Sequence, residues 1–167
     1  MSRQLRDNGR GTRGWSPEYK KFRVRSSIKS FRDLEVYKQT TQLSTEIFQF
    51  ELPETVKNRK KLDEEIKLLY ELSKNVPRLI AECYGDKFTN FNLAKEKLER
   101  TMQIISNIIT KIDFLVTTLN AVGPPAGQAG VSRERSEALT EILKKYQRQR
   151  TKILNLKNAW CRLFEKR

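Results

Sequence analysis

Lys144, Arg148 and Lys152 recur at intervals of four near the end of the chain, with Lys145, Arg150 and Lys157 at their margins. On a helix this spacing stacks cations about one turn apart, close enough to follow successive phosphates. No Asp or Glu falls between Lys144 and Arg162, so nothing within that run opposes the charge. The alternative is an ordinary solvated basic face. A second basic set, Arg10, Arg13, Lys20, Lys21, Arg23 and Arg25, lies near the N-terminus and is interleaved with Trp15, Tyr19 and Phe22. Such a composition suits phosphate contacts by the cations and base stacking by the rings. The same aromatics would equally serve to dock the tail on the protein's own core.

Few other residues offer chemistry. The chain has no histidine, which removes the commonest general base and the commonest metal ligand. Cys83 and Cys161 belong to no CxxC spacing and read as small apolar residues on reduced helices of a cytoplasmic protein. There is no phosphate-binding glycine loop, zinc spacing or paired-carboxylate motif; Asp33 and Glu35 are explained by a helix start. Glu82 is the acid to watch, and an ion pair with a neighbouring Lys or Arg accounts for it. No catalytic residue, metal or cofactor is expected. An apolar run of membrane-spanning length and a signal peptide are not expected either, so the chain reads as neither membrane-bound nor exported by that route.

Charge sets the class of partner. Lys and Arg total 34 against 20 Asp and Glu, a net +14. Residues 1–30 hold nine basic and two acidic side chains, residues 133–167 eleven and four, and the middle fourteen of each. The neutral middle builds a core while the two ends carry the field, which points to an anionic partner, nucleic acid before an acidic membrane surface.

The elements that position these cations are helices. Residues 1–29 form a basic tail that cannot bury enough to fold alone, disordered or extended. Residues 30–167 read as an all-α, antiparallel four-helix bundle with helices over about 32–51, 57–84, 90–120 and 133–165. Phe91, Ala94, Leu98, Thr101, Ile105, Ile108, Ile112, Leu115 and Leu119 alternate spacings of three and four, the seam of a central helix touching two or more partners. The first seam is Val36, Thr40, Leu43, Ile47 and Phe50. The second is Leu62, Ile66, Leu69, Ser73, Val76, Ile80 and Cys83; Pro77 lies inside it, where it removes a backbone donor, and Gly85 lies just past its end. Glycines and prolines from Gly123 to Gly130 mark a flexible linker over 121–132. The fourth seam is Leu139, Ile142, Tyr146, Gln149, Ile153, Leu156, Trp160 and Leu163, with Gln149 its one polar member. Tyr146, Trp160 and Phe164 exceed the room of a four-helix core on this reading, so self-association is expected.

The segment Ser30 to Phe50, SFRDLEVYKQTTQLSTEIFQF, and the segment Val76 to Gly85, VPRLIAECYG, resemble the small bacterial four-helix-bundle family first noted as proteins encoded in 23S ribosomal RNA intervening sequences. The second segment looks like that family's Ile-Pro-x-x-Ile-Ala-Glu-Gly-Tyr-Gly, with Cys83 where the family usually has Gly. The central helix lacks the family's usual Gly-Ser and Glu-Leu-Glu cluster. The basic tail and the basic last helix are similar to the branch that serves diversity-generating retroelements as the accessory variability determinant protein. That resemblance implies a barrel-like homopentamer that binds nucleic acid, RNA ahead of DNA, and the reverse transcriptase. The intervening-sequence reading, a structural or protein-interaction module, is the alternative.

Overall fold

The computed structural model describes residues 28–121 and 129–164, without the side chains of 129–132. Among these residues the elements are a 3-10 turn at Phe31–Asp33 and four helices: α1 at Glu35–Phe48, α2 at Arg59–Asp86, α3 at Phe91–Ala121 and α4 at Ala129–Phe164. Each helix packs on the next, and α4 returns to α1, so the four close a square whose diagonals are bridged by side chains alone. Cross-helix pairs fix the directions. Lys97 meets Glu82 and Asp86 while Lys111 meets Glu65, so α2 and α3 run antiparallel. Lys157 on Glu99 and Arg150 on Ser106 do the same for α4 and α3. Lys152 on Glu35 and Lys145 on Glu46 do so for α4 and α1. The fold is an antiparallel four-helix bundle, as the periodicities require.

The seams form its core. On α3, Ala94, Leu98, Thr101, Ile105, Ile108, Ile112, Leu115 and Leu119 are all buried, and the helix is covered by α2 on one side and α4 on the other. Full burial of one such Ile or Leu is worth about 1.5–3 kcal/mol. By length and composition α3 is apolar enough to cross a membrane, with a mean hydropathy of 1.2 over its best window, contrary to the expectation that no run approaches that length. The seam between α2 and α4 accounts for that apolarity, and Lys97, Glu99, Arg100, Lys111 and Asp113 interrupt the rest of the helix. Tyr146 and Trp160 also fit inside the single chain, both buried, which removes the crowding argument for self-association at those two residues.

The element boundaries shift where local chemistry intervenes. Ser30 does start a capping box, its hydroxyl accepting from Arg32 N at 3.2 Å and Asp33 Oδ2 accepting from Ser30 N at 2.9 Å, but what it caps is the 3-10 turn. The first α-helix therefore begins at Glu35 and ends at Phe48, well inside the expected 32–51. Leu52, in the loop that follows, turns inward and is buried in place of a further helical turn. Asn58 takes the left-handed conformation, φ 59°, just before α2, which asparagine tolerates better than most residues. Gly85 lies within α2, not beyond it, because the helix continues to Asp86 and Lys87 N donates to Cys83 O. Asn90 caps α3 through its Oδ1, which accepts from Leu93 N at 3.1 Å. At the other end of the linker, α4 begins at Ala129, inside the expected loop. Leu163, expected on the fourth seam, is exposed in the last turn, where Phe164 packs inward instead.

Pro77 sits inside α2 without ending it. Having no N–H, it leaves the carbonyl of Ser73, four residues back, without its helical donor. Ser44 of α1 supplies a replacement, its hydroxyl 2.9 Å from Ser73 O and 3.0 Å from Thr40 O. One hydroxyl proton serves one acceptor at a time, and Thr40 O still has its helical partner, so the contact that matters is the one to Ser73. Tyr146 of α4 is packed beside both serines, and burial raises its phenol above the ordinary range, although its hydroxyl makes no well-formed hydrogen bond among the described atoms. A small polar layer thus joins α1, α2 and α4 at the level of Pro77.

Candidate nucleic-acid interface

The cations singled out on α4 do not form one open stripe. Four residues advance a helix about 40° beyond a full turn, so over the eight residues from Lys144 to Lys152 the direction drifts by about 80°. Lys144 stays outward and pairs with Glu141, one turn earlier on the same helix, at 2.7 Å. Lys152 has rotated to the α1 edge, where its Nζ lies 2.7 Å from Glu35 Oε1 and 3.2 Å from Gln39 Oε1. Lys145 is on that edge too, with Nζ at 3.0 and 2.8 Å from the two Glu46 oxygens. Arg150 and Lys157 point to the opposite edge. Arg150 Nε donates to Ser106 Oγ at 3.1 Å, and Lys157 Nζ meets Glu99 Oε1 at 2.8 Å.

Nothing within the run from Lys144 to Arg162 opposes its charge, but acids outside it do, one of them on α4 itself. Glu141 precedes the acid-free segment by one turn, and Glu35, Glu46 and Glu99 come from α1 and α3, helices that local spacing on α4 cannot reveal. The carboxyls respond as engaged groups do. Hydrogen bonding and charge from Lys152, Lys157 and Lys144 hold Glu35, Glu99 and Glu141 below the ordinary carboxylate value. Of the six α4 residues in question, Arg148 alone has no hydrogen bond or ion pair among the described residues; it is exposed beside a polar groove of about 210 Å³ between α1 and α4. Gln149, buried on the seam as expected, lies at the floor of that groove and donates its Nε2 to Gln39 Oε1.

The tail residues Arg10, Arg13, Lys20, Lys21, Arg23 and Arg25 lie outside the described residues. What is described is where the tail leaves the bundle. Ile28 O accepts from Tyr84 Oη at 3.1 Å, at the end where α2 and α4 finish and α3 begins. That end holds a group of rings that the reading of the sequence passed over. Tyr84, Phe88, Phe91, Trp160 and Phe164 lie 5.3–6.4 Å apart in successive pairs. Lys87 is folded in among them, its Nζ 3.6 Å from the centre of the Tyr84 ring, 4.6 Å from Phe88 and 5.0 Å from Trp160. The signal was present in the order of the chain. In an antiparallel bundle the end of the second helix, the start of the third and the end of the fourth share one end, and each carries aromatics.

Glu82 makes the ordinary ion pairs expected of it, with Arg78 at 3.6 Å and Lys97 at 3.1 Å. Cys83 is buried and donates to Ile80 O, and burial pushes its thiol up to about 12, so it is an inert core residue. Neither cysteine is in a disulfide among the described residues. A scan against family models finds no match for this chain, and searches of curated proteins and of solved structures find none.

Proposed function

We propose that this is a non-enzymatic nucleic-acid-binding bundle protein, cytoplasmic, self-associating as a homopentamer, and the accessory partner of a reverse transcriptase in a diversity-generating retroelement. The observation that supports it is the placement of charge. Residues 28–121 hold fifteen basic and fourteen acidic side chains, whereas α4 holds nine and three and residues 1–27 hold eight and two. A surplus that the core does not need, concentrated on one helix and one tail, is what a polyanion selects. The family setting rests on the resemblance of Ser30–Phe50 and Val76–Gly85, and the retroelement branch on that of the basic tail and the basic last helix. Within α4 the reading moves from the three-residue stripe to Arg148 and the outward Lys144, with the tail as the larger contact.

The alternative, a structural or protein-interaction module of the intervening-sequence type, is favoured by one observation: most of the α4 cations are already engaged with groups of this chain. Titration of the full chain with RNA and DNA at several salt concentrations separates the two. The nucleic-acid reading expects binding of both with a steep salt dependence and weak sequence preference, and Arg148→Gln lowers the slope by about one. Absence of binding at about 0.05 M salt sinks it. Sedimentation of the chain at micromolar concentration tests the oligomer, and a monomer there overturns that part.

A further inference from the structure

We infer that the aromatic end of the bundle is a base-stacking site for single-stranded nucleic acid, with Phe88 as the ring that meets the base. The inference rests on the nucleic-acid reading above and adds the strand form and the residue. Phe88 is 71% exposed although it lies in contact range of Tyr84 and Phe164, so one face of the ring cluster is open to solvent. Other groups back the ring. Phe164 stands edge-on to it at 5.9 Å and is itself stacked on Phe91 at 5.3 Å, while the Lys87 ammonium lies 4.6 Å from its centre. A fixed exposed ring backed by other rings is the element on which a base stacks, and every base has a face to offer, so such a site takes single strands of any sequence.

The charges around this end fit a polyanion. Its carboxylates are engaged: Asp33 in the Ser30 capping box, Glu35 with Lys152, Glu82 and Asp86 with Lys97, and Glu99 with Lys157. Glu96 faces the α3–α4 groove beside Arg100 and Arg150. The cations are not engaged in the same way. The side-chain cations of Lys29, Arg32 and Arg162 are exposed at this end without an ion pair among the described residues, and Lys87, 9% exposed, has three ring faces within 5.0 Å of its ammonium. Burial of that ammonium lowers its pKa, as expected where no carboxylate offsets the loss of water. Ile28, held here by Tyr84, is also where the chain joins residues 1–27, which carry eight basic and two acidic side chains. Among the described residues Phe114, exposed on α3, has no ring or cation against it, and Phe48, 67% exposed on α1, is backed by one ring, Tyr70 at 5.2 Å with Lys74 over it, where this end gathers five.

The test compares the full chain with its Phe88→Ala and Phe88→Trp variants. Each is titrated with a 20-nucleotide oligo-dT and with a duplex of the same length at about 0.1 M salt, where exposed charges act over about 10 Å. Expected is a roughly tenfold loss of oligo-dT affinity in Phe88→Ala, with duplex affinity unchanged and oligo-dT affinity restored in Phe88→Trp. Thermal melts of both variants within a few degrees of the parent establish that the comparison concerns the ring. If the parent binds both ligands and Phe88→Ala leaves the oligo-dT affinity unchanged, or lowers both affinities alike, the stacking site is refuted while nucleic-acid binding stands. If Phe88→Ala instead dissociates the oligomer in sedimentation, the ring belongs to an interface between copies and the stacking site is equally refuted. If the parent binds neither ligand, the reading beneath it falls as well.

Discussion

Replacing Ser44 by alanine removes the donor that serves the carbonyl freed by Pro77, and the cost can be worked from the surroundings. Ser44 is nearly buried and Ser73 wholly so, so no water takes over when the hydroxyl goes. A buried acceptor left without a partner costs about 1–3 kcal/mol. For a chain of this size about 2 kcal/mol corresponds to a fall of roughly 4–8 °C in Tm. Loss of a hydroxyl from any buried serine carries a similar figure, so the single variant is not decisive. The second arm is Pro77→Ala, which returns an N–H to position 77 and lets it donate to Ser73 O in the ordinary helical way. In that background Ser44→Ala should cost far less, leaving a coupling of about 1–2 kcal/mol between residues 33 positions apart in sequence. Urea unfolding of the four proteins at one fixed concentration measures it. Equal costs of Ser44→Ala in both backgrounds refute the claim that the serine exists to serve the proline.

Three further outcomes follow from the same structure. Ile108→Asp puts an unpaired charge at a position of zero exposure between α2 and α4 and should cost several kcal/mol; a variant that melts with the parent means the α3 seam is wrongly assigned. Glu35 and Glu99 have depressed carboxyl pKa values in the folded chain, so what their pairs contribute is present above the ordinary glutamate value of 4.5 and is lost as pH falls through the lower folded value. Carbon NMR titration should show both carboxyls below that value and Glu35 returning toward it in Lys152→Met; an unmoved Glu35 contradicts the pairing. Thiol labelling of the folded protein should modify the half-buried Cys161 and leave Cys83, buried and with its thiol pushed up to about 12, untouched until urea unfolds the bundle. Rapid labelling of both without denaturant contradicts the burial of Cys83.

The fold was legible because burial and helical period carry the same information. Thr101 and Gln149 show how far this goes: both are polar, both were placed on seams by spacing alone, and both are buried there. The boundaries were less legible, since Ser30 and Asp33 have the pattern of a helix cap and the pattern does not say whether a 3-10 turn or an α-helix follows. The interface was the least legible part. Whether a cation is free depends on the acids that face it, and those facing Lys145, Lys152 and Lys157 lie 99, 117 and 58 residues away. Charge period along one helix identifies the cations and not their partners. Arg148 lines the α1–α4 groove with Glu46, but that carboxylate is taken by Lys145, whereas Lys152 has Glu35.

Where the phosphate contacts lie therefore follows from a competition. An exposed ion pair is worth only about 0.2–1 kcal/mol, so Lys145, Lys152 and Lys157 are not locked away from a phosphate by the pair itself. What opposes exchange is the carboxylate left behind: Glu46, Glu35 or Glu99 would then face the incoming anion at a few ångströms, and that repulsion recurs at each exchanged pair. Residues 1–27 carry two acids against eight cations, so their own sequence offers little such opposition. Each phosphate neutralised contributes about 0.7–0.9 to the slope of log K against log salt. Arg148 and Lys144 by themselves would support a slope of no more than about two. Replacing Arg10, Arg13, Lys20, Lys21, Arg23 and Arg25 together by Gln should accordingly lower the slope by roughly four to five while the helix content and Tm stay those of the parent. A slope that survives this change would mean that the α4 ion pairs open on binding, and Lys145→Gln and Lys157→Gln would then weaken binding as much as Arg148→Gln does.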